Sequence, residues 1–268
     1  MPLLALLLLQ ACAGNRVFYP ETGFRQTPAD LGYQYRQRQL AAADGTPLSL
    51  WQVPASGESQ GVILYFHGNA RNLAGNLHQV LWLADAGYEL VMMEYRGYGD
   101  SPAEADLAHS IDDIGRVLDW FVASYPQQPR FVLGQSLGAA MAGFALASSG
   151  SAGHFDGVVL DAAFAGYRRI MREVLARHWL TGLLRYPASL AMPAGYDLLP
   201  VIDRISPTPL LIMHGDNDRV VDYAHALDLY RAAAEPKQLL TYHQRHIQAF
   251  ADASARQLLL LFLQQHGD

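Results

Sequence analysis

Gly134-Gln135-Ser136-Leu137-Gly138 follows the apolar run Phe131-Val132-Leu133 and opens an alanine-rich stretch. A strand turning sharply into a helix at this point would expose the central serine hydroxyl on a strained backbone, and small flanking residues would let neighbouring chain approach. A serine hydroxyl is a weak nucleophile at neutral pH. It needs a base within hydrogen-bond reach and an acid that orients the base. The chemistry on offer is therefore acyl transfer through a covalent intermediate.

The partners should come from the carboxyl ends of later strands. Of ten histidines, His243 and His246 directly follow the last predicted strand, while His214 and His225 flank the strand and helix before it. Asp216 and Asp218 lie in the loop after the strand Leu210 to Met213, and Asp161 ends an earlier strand. The chain order serine, aspartate, histidine is the one expected for a hydrolase built on such an elbow. Spacing leaves the choice within Asp216/Asp218 and within His243/His246 open. The pair His243-x-x-His246 could also suggest metal ligation, but in a loop it has no fixed spacing, and neither metal nor organic cofactor is expected.

Rival chemistries have little to stand on. Cys12 is the single cysteine and Lys237 the single lysine, so disulfides, thiolate catalysis and a lysine-bearing phosphate loop are excluded from the body of the chain. Gly97-Tyr98-Gly99 begins like a dinucleotide fingerprint, but Pro102 occupies the third glycine position. A net charge of −6 provides no basic footprint for nucleic acid.

The elements that must position these residues alternate. After an approach segment, Tyr33 to Leu40 and Pro47 to Val53 read as two strands joined by a turn at Asp44-Gly45. Strands then follow at Val62 to Phe66, Glu89 to Met93, Phe131 to Gly134, Gly157 to Leu160, Leu210 to Met213 and Gln238 to Tyr242. Helices are predicted at Leu73 to Ala84, Ile111 to Ala123, Leu137 to Ala147, Tyr223 to Ala234 and Ile247 to Gln265. Such alternation predicts one α/β domain of 268 residues, with a mostly parallel sheet and helices on both faces. In the second helix Ile111, Ile114, Val117, Leu118 and Phe121 form one apolar face, with Asp112, Asp113, Arg116 and Asp119 elsewhere.

An insert of about forty residues, about 165–207, interrupts the alternation and is read as a small helical lid. Its first part sets Ile170, Met171, Val174, Leu175 and Trp179 against Arg168, Arg169, Arg172 and Arg177, an amphipathic basic helix. The apolar face is expected to pack on the domain with the arginines in water, and contact with a membrane is the second reading. At the other end, Met1 to Cys12 holds seven consecutive apolar residues, too few to span a bilayer. Leu9-Gln10-Ala11-Cys12 resembles a bacterial lipobox, which implies lipidation of Cys12. Ala13 after it resembles outer-membrane sorting, so the expected location is a bacterial cell envelope, lipid-anchored in the outer membrane and facing the periplasm. No positively charged stretch precedes the apolar run.

Four stretches in order resemble the α/β-hydrolase superfamily, in particular small-lid serine hydrolases related to abhydrolase-domain depalmitoylating thioesterases. They are Phe66-His67-Gly68-Asn69-Ala70, Glu94-Tyr95-Arg96-Gly97-Tyr98-Gly99-Asp100-Ser101, the elbow, and His214-Gly215-Asp216-Asn217-Asp218-Arg219-Val220-Val221. The resemblance runs from about Tyr33 to the C-terminus, so that 1–12 is a signal segment, 13–32 an approach and 33–268 the hydrolase domain. It implies Ser136 as nucleophile, Asp218 as acid and His246 as base. Gln244-Arg245 stand where a glycine usually precedes the base, and Glu94 replaces the commoner aspartate at a structural position. The oxyanion hole it implies is the backbone amides of Asn69 and Leu137, each such donor worth about 3 to 4 kcal/mol in the transition state. His67 would shape a turn. The expected substrate is a small acyl ester or thioester; the alternative is an envelope lipoprotein that binds a ligand on a retained hydrolase fold without turnover.

Overall fold

A computed structural model describes residues 17–177 and 179–267; Cys12 and Ala13, on which the expected lipid anchor rests, lie outside the described residues. Eight strands make one sheet: β1 (Arg36–Ala41), β2 (Pro47–Val53), β3 (Gly61–Phe66), β4 (Tyr88–Met93), β5 (Arg130–Gln135), β6 (Gly157–Asp161), β7 (Leu210–Gly215) and β8 (Lys237–Tyr242). Their spatial order is β8-β7-β6-β5-β3-β4-β2-β1. The two pairings of β2, with β1 and with β4, are antiparallel, and the other five are parallel. This is the mostly parallel α/β architecture that the alternation predicts.

Helices follow in the order α1 (Leu77–Val80), α2 (Trp82–Asp85), α3 (Leu107–Ser124), α4 (Leu137–Ser149), α5 (Tyr167–Ala176), α6 (Trp179–Gly182), α7 (Arg185–Leu190), α8 (Ala224–Ala232) and α9 (Ala253–His266). They cover both faces. In β3, Val62, Leu64 and Phe66 enter the core shared with α3 and α4, while Ile63 and Tyr65 enter the core shared with α1, α2 and α9. Side chains alternate along a strand, and a strand covered on both faces reads as one continuous apolar run.

Several elements differ from their predicted bounds. The first strand begins at Arg36 because Tyr33 is still closing the turn at Pro28–Leu31, its amide donating to Pro28 across Gly32 at φ 87°. The helix expected over Leu73 to Ala84 starts as a 3-10 turn and is interrupted at Leu81, where bonds from Ala84 to Leu81 and from Gly87 to Ala84 tighten the chain. The closing helix begins at Ala253, not Ile247: Ile247 has φ 48°, and Asp252 caps the helix by accepting from the Ser254 amide at 2.8 Å. Asp113 lies on the buried face of α3, held by Arg96 through contacts of 2.6 and 2.7 Å. A bidentate partner makes burial of that carboxylate tolerable.

The insert divides in two. Helices α5 to α7 form the lid, whereas Leu198, Ile202 and Ile205 return to the main core. The approach segment is packed on the domain from Val17 onward. Phe18 is buried, and Tyr19–Pro20 pair in parallel with Ala70–Arg71 beside the loop that follows β3.

Candidate active site

The elbow forms where β5 meets α4. Ser136 has φ 52° and ψ −114°, a left-handed backbone that a side chain adopts only under constraint from its surroundings. Glycines on both sides permit it. A Cβ at Gly138 would come within 2.4 Å of the carbonyl oxygens of Phe66 and His67, and one at Gly134 within 2.6 Å of Ala139 Cα. The Ser136 amide donates to the Asp161 carbonyl at 2.8 Å, tying the turn to β6.

Three loops converge on the hydroxyl. His246 Nε2 lies 2.9 Å from Ser136 Oγ, and His246 Nδ1 lies 2.6 Å from Asp218 Oδ2. Between the two pairs that spacing leaves open, the loops form both possible partnerships: His243 Nδ1 contacts Asp216 Oδ2 at 2.5 Å, with the imidazole 84% exposed. Only the Asp218–His246 pair reaches the serine. Its carboxylate is fully buried and its imidazole 15% exposed.

Burial would raise the Asp218 carboxyl, but the His246 hydrogen bond and charge and the amides of Val221 and Val220 outweigh it and hold the group below its ordinary value. Asp218 Oδ1 accepts from those amides at 3.0 and 2.7 Å, which leaves Oδ2 for the imidazole. Behind it, His214 Nε2 lies 3.0 Å from the Val221 carbonyl and 3.4 Å from Oδ2. Burial pushes the His214 imidazole down, so it stays neutral with its proton on Nε2.

Asn69 follows β3 in a loop fixed from several directions. Tyr98 Oη donates to the Asn69 carbonyl at 2.7 Å, Tyr95 Oη to the His67 carbonyl at 2.8 Å, and the Tyr19 amide to Asn69 Oδ1 at 3.0 Å. Asn69 Nδ2 also donates to the Val17 carbonyl. Asn69 and Leu137 line the same cavity as Ser136. His67 is wholly buried, its Nε2 2.9 Å from Glu94 Oε1 and its Nδ1 2.7 Å from the Gly68 carbonyl.

Asp161 is set apart from this constellation. Its carboxylate accepts from Tyr242 Oη at 2.7 Å and Gln135 Nε2 at 2.9 Å, and Gln135 Oε1 accepts from Tyr65 Oη at 2.7 Å. This buried network lies beneath the elbow. Burial raises the Asp161 carboxyl to about 6 against those hydrogen bonds.

Residues 57–196 match the family model Hydrolase_4, described as serine aminopeptidase, S33. The chain belongs to this family of α/β hydrolases. It is 32% identical over 221 residues to the uncharacterized protein YfhR of Escherichia coli O157:H7, covering 80% of this chain and 74% of that protein. It is 27% identical to the lysophosphatidylserine lipase ABHD12 of Mus musculus, over 77% of this chain and 54% of that one, so the chain spans about half of that longer protein. Among solved structures, the Pyrococcus furiosus esterase Pf2001 has the same fold, with a TM-score of 0.77 at 18% identity over 95% of this chain and all of that one.

In this hydrolase the elbow opens into a cavity of about 520 Å³ whose wall is mainly apolar. Phe164, Tyr167, Ile170, Met171, Leu175 and Met192 supply the lid side, and Val17 and Tyr19 the approach side. Among the described residues no carboxylate lines it, and Arg177 is the one arginine in the wall. The amphipathic pattern of α5 anticipates the lid residues. No pattern anticipates Val17 and Tyr19, because a two-residue strand is too short to carry a period.

Proposed function

We propose that this hydrolase cleaves carboxylic ester or thioester bonds of acyl chains through an acyl-enzyme formed on Ser136. The observation that carries the reading is the continuous chain of contacts from Asp218 through His246 to Ser136, made by three loops far apart in sequence. With Nδ1–H donated to Asp218, His246 Nε2 is free to accept the serine proton. As Oγ attacks the acyl carbonyl, the proton moves to Nε2 and the carbonyl oxygen gains charge between the amides of Asn69 and Leu137. Collapse expels the alcohol or thiol, which takes the proton from Nε2. Water then repeats the sequence on the acyl-enzyme, with His246 again as base, and releases the acid.

The cavity favours an acyl chain over an aminopeptidase substrate. A free α-ammonium needs a carboxylate partner or water, and among the described residues the cavity wall offers no carboxylate. An apolar wall of about 520 Å³ suits a hydrocarbon chain of moderate length. The proposed location is a bacterial envelope, with Cys12 acylated and the chain held on the periplasmic face of the outer membrane. Mass spectrometry of the mature N-terminus tests this, and an unmodified Cys12 would refute it.

A fluorophosphonate probe tests the chemistry, since it labels a serine activated by a working base and oxyanion hole. Labelling of the wild type that disappears in Ser136→Ala is the expected result. A folded protein that neither labels nor turns over p-nitrophenyl esters of any chain length would be a binder on a retained fold.

A further inference from the structure

The lid carries a surface that the fold leaves uncovered. Trp179 is 81% exposed, Leu183 80%, Leu190 67%, and Leu184 and Tyr186 59% each. These five fall within twelve residues on α6, α7 and the link between them. Isolated exposed apolar residues are ordinary, whereas a contiguous group of this size on a small insert marks an interaction surface.

Charge identifies the partner. From Gly166 to Tyr196 there are five arginines and one glutamate, a local charge of +4 in a chain whose net charge is −6. Arg169 is neutralised by Glu173 and Asp228 at 3.0 and 2.6 Å. Arg172 and Arg185 instead lie over the Tyr186 ring, 5.9 and 5.0 Å from its centroid, among the exposed apolar side chains. Arginines beside Trp, Tyr and Leu on short helices match the interfacial zone of a membrane, where apolar side chains enter the acyl boundary and guanidiniums meet phosphate. The rest of the chain, strongly acidic, is repelled by the same surface and turned away from it.

The patch adjoins the mouth of the cavity. Val174, Arg177 and Val220 belong to the cavity wall, yet Val174 and Val220 are 41% and 44% exposed. Arg177 bridges the lid to the loop of Asp218 through a 2.7 Å bond to the Val220 carbonyl, and Trp179 follows two residues later. We infer that the α6–α7 face of the lid docks on an anionic lipid bilayer and turns the cavity mouth toward the membrane. Docking itself is independent of turnover; its use, which is to admit a membrane-resident acyl ester directly to Ser136, rests on the function proposed above.

Flotation of the full chain carrying Cys12→Ser, so that no acyl anchor contributes, with vesicles of phosphatidylcholine, with and without phosphatidylglycerol, tests the inference. The expected result is binding to the anionic vesicles that weakens with salt, with brominated acyl chains quenching a fluorescence component that is lost in Trp179→Phe. Arg185→Glu should lower partitioning about tenfold, and Leu183→Glu with Leu190→Glu by at least about tenfold, with Tm unchanged because these side chains are in solvent. Ser136→Ala should bind as well as wild type, so failure of the chemistry and failure of docking are read separately. Binding that is the same in wild type and both lid variants would overturn the inference, because another part of the chain would then be responsible. Absence of binding would overturn it too, as would a dimer that Leu183→Glu dissociates while vesicle binding stays unchanged.

Discussion

Replacing Asp218 by Asn should remove most of the turnover without disturbing the shape of the site, and the hydrogen bonds explain why. Asp218 Oδ1 accepts from the amides of Val220 and Val221, so an asparagine must keep its oxygen there and turn its NH2 toward His246. Facing a donor at 2.6 Å, His246 Nδ1 becomes an acceptor and the ring proton moves to Nε2. The Nε2–H then points at Ser136 Oγ, 2.9 Å away, and the serine has no base. The imidazolium that forms in the transition state also loses its anionic partner.

The analogous change in a Ser-His-Asp enzyme costs about 10⁴-fold in kcat, or about 5 kcal/mol of transition-state stabilisation. A loss of about 10³ to 10⁴ is therefore expected for Asp218→Asn, with KM little changed because the carboxylate does not border the cavity. Asp216→Asn should stay within about twofold of wild type, since Asp216 engages the exposed His243 and touches neither Ser136 nor His246. The assay is steady-state hydrolysis of p-nitrophenyl butyrate with kcat and KM measured separately, and near-ultraviolet circular dichroism to establish the fold. Equal losses in the two variants, or an Asp218→Asn enzyme within about tenfold of wild type, would refute the tautomer reasoning.

Two further outcomes follow from neighbouring contacts. Tyr98→Phe deletes the donor to the Asn69 carbonyl and Oδ1, at 2.7 and 3.0 Å, and should lower kcat about tenfold while leaving KM near wild type, as measured with the same ester. Asp161, raised from 3.8 to about 6, retains a proton in the folded state that the unfolded chain has shed, so its contribution to stability is complete below about pH 4 and lost as pH rises toward 6. The loss is at most about 3 kcal/mol, and denaturant titrations should find it in wild type and not in Asp161→Asn; parallel pH dependences in the two would contradict it.

The sheet and the elbow were legible in the sequence because both are local. A buried parallel strand is a short apolar run, and the elbow adds two glycines whose absent side chains let α4 fold back tightly on β5 and approach β3. Asp113 is the counterexample: its position on α3 resembles the polar face, and only the distant Arg96 makes burial acceptable. Choosing between the aspartates and between the histidines was equally non-local. Both pairings form, 216 with 243 and 218 with 246, so composition and spacing had no means to rank them. What ranks them is which imidazole the loop after β8 carries inward to the serine.

That loop also accounts for the missing glycine. Gln244-Arg245 precede His246, and the left-handed residue falls after it instead, at Ile247 with φ 48°. A β-branched residue there is strained, which a structure tolerates only when surrounding contacts hold it. Those contacts are visible: the Gln248 amide donates to the Arg245 carbonyl at 3.2 Å, and the Ile247 side chain lines the cavity, its Cδ1 3.7 Å from where a Cβ on Gly68 would lie. A glycine at 247 would remove the strain and with it an apolar wall between His246 and the Gly68-Asn69 loop. The same residue therefore turns the chain so that His246 faces Ser136 and limits the space beside it. A sequence pattern that looks for glycine before the base misses this arrangement, because here a side chain needed in the cavity occupies the strained position.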